Sequence, residues 1–94
     1  SACLANIFWV RKGEIFTPTI EAGALPGTTR AFVLENFSVA ERRANLEELR
    51  GADEAFVTSA GVGAARIESV IEIKYKDSTV YERVRKSLAG VFDD

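Results

Sequence analysis

The sequence predicts a mixed α/β domain in which short strands and helices alternate along the chain. A β-rich run, Ile7-Phe8-Trp9-Val10, lies near the start, and Val80, Val84, Leu88 and Val91 recur at helical spacing near the end. The chain has 94 residues, of which 47% are hydrophobic and 28% charged, a globular composition at a length that allows one domain. These observations together predict one mixed sheet with flanking helices.

The first elements are a hairpin and a helix joined by a long connection. Arg11-Lys12-Gly13 separates the first run from Glu14-Ile15-Phe16-Thr17, so a hairpin is predicted in which Gly13 supplies a positive φ. The connection from Pro18 to Gly27 contains Gly23 and Pro26 and is long enough to suggest a functional loop. A helix from Thr29 to about Asn36 follows, with Phe32, Val33 and Leu34 facing inward.

The middle of the chain predicts an edge strand and one short helix. The run from Val39 to Arg43 has little apolar periodicity and suits an edge strand with a solvated face. Asn45 and Glu48 have the spacing of a capping box, and Gly51 would end the short helix that they open.

The last third predicts two strands and an amphipathic helix. Ala55-Phe56-Val57-Thr58 is a buried-strand candidate that leads into the small-residue turn Ser59-Ala60-Gly61-Val62-Gly63. A second strand is indicated by the alternation of Ile67, Ile71, Ile73 and Tyr75, while Val70 beside Ile71 indicates a bulge or a strand buried on both faces. Asp77-Ser78 would then cap the final helix, on which Glu82 and Lys86 would pair.

Composition argues against several classes of function. A net charge of -2 without a basic, aromatic-rich cluster disfavours nucleic-acid binding. The absence of His and the single cysteine, Cys3, leave no zinc site and no Ser-His or Cys-His pair, and we expect no metal. The apolar runs are too short to span a membrane, so we expect a cytoplasmic protein without a membrane partner.

Two small, hydroxyl-rich turns are candidate anion sites. Gly27-Thr28-Thr29 places two threonines where a helix begins, and the first N–H groups of a helix are free to bind a phosphate. Thr58-Ser59-Ala60-Gly61 follows a strand and could contribute further donors to the same anion. The residues alone leave two alternatives open: Thr28 merely caps the helix, and the turns are unrelated.

Several motifs occur in one order along residues 1 to about 70. They are Ala5-Asn6-Ile7-Phe8-Trp9-Val10, Thr17-Pro18, Gly23-Ala24-Leu25-Pro26-Gly27-Thr28-Thr29-Arg30, Leu46-Glu47-Glu48-Leu49 and Ala52-Asp53-Glu54-Ala55-Phe56-Val57-Thr58-Ser59. In this order and spacing the chain resembles the C-terminal half of the class IV, fold-type IV pyridoxal-phosphate enzymes. That family includes branched-chain and D-amino-acid aminotransferases and 4-amino-4-deoxychorismate lyase.

The resemblance implies a cofactor and binding roles. Pyridoxal 5'-phosphate would be held at its phosphate by Thr28 and Thr29 and by the turn of Ser59 and Ala60, with Leu25 against the pyridine ring. Backbone N–H groups of Ala60 and Gly61 would bind the substrate carboxylate. The family usually has Ser or Thr where this chain has Ala60. Arg30 is expected to be a structural ion-pair partner.

The resemblance also implies that the catalytic groups lie elsewhere. The family's Schiff-base lysine precedes the Asn6 motif by some tens of residues, and the acid that pairs with the pyridine nitrogen would fall immediately before Ser1. No catalytic residue is therefore expected in residues 1–94, which would be a C-terminal, cofactor-phosphate-binding domain that is inactive alone. The missing N-terminal half would be its partner in a complete enzyme that forms a homodimer.

Three functions are consistent with this pattern. Trp9 and the small residues around Cys3 favour the aminodeoxychorismate lyase branch, which forms 4-aminobenzoate for folate synthesis. The alternative within the family is an aminotransferase, and the alternative outside it is a non-catalytic ligand-binding or assembly module. We also expect Ile7, Phe8, Trp9, Leu25 and Phe56 to leave an apolar surface exposed in the isolated chain.

Overall fold

The computed structural model describes residues 5–19, 28–59, 63–67, 69–70 and 73–92. Within these ranges strands and helices alternate as predicted. The strands are β1 (Ala5–Arg11), β2 (Glu14–Thr17), β3 (Val39–Glu41), β4 (Glu54–Ser59), β5 (Gly63–Ile67), β6 (Ser69–Val70) and β7 (Ile73–Lys74). The helices are α1 (Thr28–Asn36), α2 (Leu46–Arg50) and α3 (Thr79–Phe92).

Five strands form one mixed sheet in the order β3-β2-β1-β4-β5. Strand β1 pairs antiparallel with β2 and β4, β4 pairs antiparallel with β5, and β2 pairs parallel with β3. Strands β6 and β7 form a separate two-stranded sheet. The predicted α/β class, a mixed sheet with flanking helices, is confirmed.

The predicted hairpin joins β1 to β2 through a tight turn. Lys12 and Gly13 both have positive φ angles, 51° and 81°, which is the pattern of a type I′ turn. Arg11 and Glu14 form the pair that closes the turn. The turn therefore sets the register in which Trp9 faces Phe16.

One face of the sheet is covered by α1 and α3. Phe8 and Phe56 stack on adjacent strands, with ring centroids 5.1 Å apart. Val33 of α1 and Val84 of α3 pack on them and are fully buried. The inward positions predicted for α1 are confirmed for Val33, while its neighbours Phe32 and Leu34 are half-buried.

Helix α3 is attached to the sheet by a buried carboxylate. Both oxygens of Glu54 accept hydrogen bonds, from the N–H of Val80 at 2.9 Å and from that of Tyr81 at 2.8 Å. A carboxylate at this position satisfies two free amides of the helix and interacts favourably with its dipole. The start of α3 is thus held against the start of β4.

The opposite face is covered by α2 and its neighbouring segments. Trp9 and Phe16 stack there, and the indole Nε1 of Trp9 donates to a carboxylate oxygen of Glu48 at 3.3 Å. Asn45 caps α2 as predicted, accepting from the N–H of Glu48 at 2.9 Å. Glu48 thus forms one half of a capping box with its amide, while its carboxylate contacts the sheet.

Three expectations from the sequence are wrong. The single strand expected from Ile67 to Tyr75 is instead the end of β5 followed by the β6–β7 pair. Glu82 forms an ion pair with Arg85 at 2.9 Å, one residue before the predicted Lys86.

The third error concerns the apolar surface. Phe8, Trp9 and Phe56 were expected near an exposed patch, but their exposed fractions are 0%, 1% and 0%. They lie on the central strands, and each face of these strands is covered by the chain's own helices. Ile7 is half-buried, and Leu25 lies outside the described residues.

Candidate functional site

Three strands of the large sheet end at one of its edges, and β1 and β5 begin there. Strands β2 and β4 both run antiparallel to β1, and β3 runs parallel to β2, so β2, β3 and β4 end where β1 begins. Ala5 at the start of β1 faces Ser59 at the end of β4. We call this the site edge.

Helix α1 begins at the site edge. The side chain of Arg30 in its first turn contacts the carbonyl of Pro18, directly after β2, and the carboxylate of Glu41, at the end of β3. The first turn, which begins with Thr28 and Thr29, is therefore held beside these strand ends. Thr29 has an exposed fraction of 6%.

The described parts of the two predicted phosphate-binding segments therefore lie at the same edge of the sheet, with β1 between β2 and β4. Thr28 and Thr29 open α1, and Ser59 ends β4 at the same edge. For Thr28 and Ser59 only the backbone is described. Leu25, Ala60 and Gly61 lie outside the described residues, so their binding roles stay predictions.

The first turn of α1 has the chemistry of an anion site. Its leading amides have no partner within the helix, and the helix dipole is positive at this end. Acidic residues commonly occupy the first turn of a helix, but α1 has none there and carries Arg30 instead. The carboxylate of Glu41 is a negative charge in contact with this turn and reduces its positive potential.

Two buried polar atoms of the described residues have no hydrogen-bond partner. They are the Oγ1 of Thr58, near the end of β4, and the Nε of Arg30. Both belong to residues next to the site edge. Burying a polar group without a partner is unfavourable, so a ligand or a water that reached these atoms would be stabilised by them.

The residues at the site edge fit the phosphate of pyridoxal phosphate and not its covalent attachment. The donors are amides and hydroxyls, which suit an oxyanion. Lys12 lies in the β1–β2 turn at the opposite edge of the sheet. Among the described residues, no group of His, Cys, Asp and Glu could hold a metal ion.

The sequence analysis did not identify three buried polar residues of the strands next to the site edge. Asn6, Thr17 and Thr58 are buried polar residues on the face that carries α1, and the hydroxyl of Thr17 donates to the carbonyl of Ile7 at 2.8 Å. Period-2 alternation in β1 and β4 could have placed Asn6 and Thr58 on the face shared with Phe8 and Phe56. The Arg30–Glu41 pair has no such signal, since the two residues belong to different elements.

Other polar groups in the described residues have structural roles away from this edge. Burial raises the pKa of Tyr75, whose hydroxyl donates to the carbonyl of Leu49 at 3.0 Å. Trp9 lies on the face opposite α1. No helix within the described ranges is both long and apolar enough to cross a membrane.

Comparison with known proteins identifies the family of this arrangement. The family model described as amino-transferase class IV matches residues 1–70. Branched-chain-amino-acid aminotransferase 1 of Arabidopsis thaliana, a mitochondrial protein, is 34% identical over 93% of the chain. Aminodeoxychorismate lyase of Bacillus subtilis is 36% identical over 77% of the chain.

A solved structure extends the similarity to the fold. An aminotransferase from Brucella abortus bound to the cofactor PLP superposes with a TM-score of 0.84 and 32% identity, and the match covers 96% of this chain. The chain spans 34% of that structure and 26% of each of the two curated relatives. Because the family model covers most of its length and relatives of that family share more than 30% identity over most of it, the chain belongs to the amino-transferase class IV family.

Proposed function

We propose that the protein containing this chain is a pyridoxal-phosphate-dependent aminotransferase, and that the chain supplies the wall that binds the cofactor phosphate. The observation that carries this proposal is that the first turn of α1 and the end of β4 lie at the same edge of the sheet. The identity of the cofactor is inferred from family membership, because a solved aminotransferase of similar fold is bound to PLP.

The chain's own residues would bind and orient. The amides that open α1 and the hydroxyl of Thr29 would donate to phosphate oxygens, and charge-assisted hydrogen bonds of this kind are stronger than neutral ones. Ser59 and Ala60 would add donors from the end of β4, and Leu25 would exclude water from one face of the ring. The bound cofactor supplies an electron sink for bond cleavage at the substrate α-carbon.

The amine that bonds the cofactor would come from outside residues 1–94. Lys12 is at the wrong edge of the sheet, and Lys74, Lys76 and Lys86 are exposed. We therefore propose that these residues act together with an N-terminal part that supplies the lysine, and that the complete enzyme is a homodimer. The 94 residues alone would be inactive.

The substrate class that similarity favours is branched-chain amino acids. The Arabidopsis aminotransferase matches 93% of the chain, against 77% for the Bacillus lyase. On this ground we place the aminotransferase before the lyase, whereas the sequence motifs favour the lyase. Trp9, which favours the lyase, is a core residue beneath α2 and lies away from α1.

Aminodeoxychorismate lyase activity is the second candidate. It is supported by 36% identity to the Bacillus lyase, slightly above the 34% to the Arabidopsis aminotransferase. The reaction would release pyruvate and leave 4-aminobenzoate. Both candidates use the same cofactor, so the phosphate-binding role of the site edge is common to them.

Two assays on the full-length protein distinguish the candidates. With pyridoxal phosphate present, an aminotransferase converts leucine and a 2-oxo acid acceptor into the corresponding 2-oxo and amino acids. A lyase releases pyruvate and 4-aminobenzoate from 4-amino-4-deoxychorismate. Neither product, together with no binding of pyridoxal phosphate, would contradict both and leave the non-catalytic module.

A further inference from the structure

Arg30 connects the start of α1 to two strand ends at once. Its Nη2 donates to the carbonyl of Pro18 at 3.1 Å and to a carboxylate oxygen of Glu41 at 2.6 Å. Since Nη2 carries two hydrogens, both of them are used. The exposed fraction of the Arg30 side chain is 7%, against 42% for Glu41.

These two acceptors lie at structurally important places. Pro18 directly follows β2 and opens the connection that leads to α1, so its contact with Arg30 joins the two ends of that connection. Glu41 ends β3, which pairs in parallel with β2 through Thr17. The guanidinium therefore fixes the first turn of α1 relative to the edge strand and its neighbour.

The position of Arg30 is unfavourable for the helix itself. A cation in the first turn opposes the helix dipole, and α1 has no acidic residue in that turn to compensate. The Nε of Arg30 is also buried without a partner. A bound anion at the helix start would offset the repulsion between the Arg30 charge and the helix dipole. The fixed guanidinium would hold the first turn in place for that anion.

We propose that Arg30 is a positioning residue for the phosphate of the cofactor, acting through the first turn of α1. This inference rests on the proposed function, because it presumes that the helix start binds that phosphate. Arg30 sets the affinity of the site for the phosphate group by holding the leading amides of α1 against the ends of β2 and β3, with Glu41 as its partner.

The test compares two ligands that differ only in the phosphate. Dissociation constants for pyridoxal phosphate and pyridoxal are measured by absorbance titration of the full-length protein and of Arg30→Gln, Arg30→Lys and Glu41→Gln. We expect Arg30→Gln to raise the Kd of pyridoxal phosphate at least about tenfold and that of pyridoxal far less. Arg30→Lys keeps the charge and should recover part of the loss.

Glu41→Gln keeps the experiment decisive if the buried Arg30 variants fail to fold. The side chain of Glu41 is partly exposed, and the substitution Glu41→Gln should raise the Kd of pyridoxal phosphate roughly threefold. The matched control is Arg85→Gln, which removes the exposed Arg85–Glu82 pair on α3 and should leave both constants unchanged.

The outcomes separate this inference from the proposed function. Wild-type binding of pyridoxal phosphate with equal losses for both ligands in the Arg30 and Glu41 variants would overturn the positioning role and leave the function intact. Unchanged affinity in every variant would do the same. A wild-type protein that binds neither ligand would overturn both.

Discussion

Two buried threonines on the same face of the sheet have opposite hydrogen-bonding states. The hydroxyl of Thr17 donates to the carbonyl of Ile7, whereas the hydroxyl of Thr58 has no partner among the described residues. Both side chains are at most 1% exposed. Comparing Thr17 with Thr58 therefore shows how a hydrogen-bonded and an unpaired buried hydroxyl each contribute to the free energy of unfolding.

We expect the same isosteric substitution to have opposite effects at these two sites. Thr17→Val should lower the free energy of unfolding by about 1 kcal/mol, because a buried hydrogen bond is lost. Thr58→Val should leave it unchanged or raise it by about 1 kcal/mol, because an unpaired polar atom is removed. Urea unfolding of the purified apoprotein measures both, and a larger loss for Thr58→Val would show that its hydroxyl is satisfied.

Thr29 is the residue through which the site can be tested most simply. Thr29→Val should weaken binding of pyridoxal phosphate by about 1–3 kcal/mol, the usual value of a hydrogen bond to a charged group. The measurement is the dissociation constant in the full-length protein, with Thr79→Val on α3 as a control. Equal affinity in wild type and Thr29→Val would remove Thr29 from the site.

At the scale of elements, the cap of α3 makes stability depend on pH. The pKa of Asp77 lies below its ordinary value of 3.8, first because the hydroxyl of Thr79 donates to it and then because the N–H groups of Thr79 and Ser78 do. A lowered pKa in the folded state means that the ionised carboxylate stabilises the fold. This contribution is complete above about pH 5 and disappears as the pH falls through the folded-state value.

Asp77→Asn should reveal this dependence. The variant should be less stable than wild type near neutral pH, and the difference should shrink as the pH falls below the unfolded-state value of 3.8. Thermal unfolding across the range from about pH 7 to about pH 3 measures it. A difference that stays constant throughout would mean that the charge of Asp77 contributes nothing to the cap.

The elements differ in how well the sequence predicts them, and the differences have physical causes. The hairpin at Lys12 and Gly13, helix α1 and the Asn45 cap depend on local turn chemistry and periodicity. The first residues of β5, Gly63-Ala64-Ala65, are not predicted as a strand because they have low strand propensity and are placed by pairing with β4. Hydrogen bonding to β4 therefore stabilises the strand conformation that the residues of β5 would not favour alone.

Some features of the candidate site can be predicted from the sequence and others cannot. A glycine and two threonines before a helix indicate an anion site from sequence alone. The contact of Arg30 with Pro18 and Glu41 could not be predicted, because it depends on the parallel pairing of β2 and β3 across a long connection. Sequence indicated that Arg30 would form an ion pair, which is confirmed, and left its partner open.

At the scale of the whole molecule, we propose that the lysine that bonds the cofactor comes from outside residues 1–94. The 94-residue chain, mixed with pyridoxal phosphate and treated with borohydride, should form no stable adduct at a specific lysine, whereas the full-length protein should form one. The reason is that covalent attachment needs an amine held at the cofactor carbon. Mass spectrometry of proteolytic peptides locates any adduct, and stoichiometric labelling of Lys12, Lys74, Lys76 or Lys86 would contradict this expectation.

We propose that the start of α1 and the end of β4 form the phosphate site of a pyridoxal-phosphate enzyme. The decisive experiment is a crystal structure of the full-length protein with pyridoxal phosphate. We expect phosphate oxygens within hydrogen-bond distance of the amides that open α1 and of Thr29, with Ser59 on the other side. A phosphate at the opposite edge of the sheet, beside Lys12, or away from the sheet altogether would contradict it.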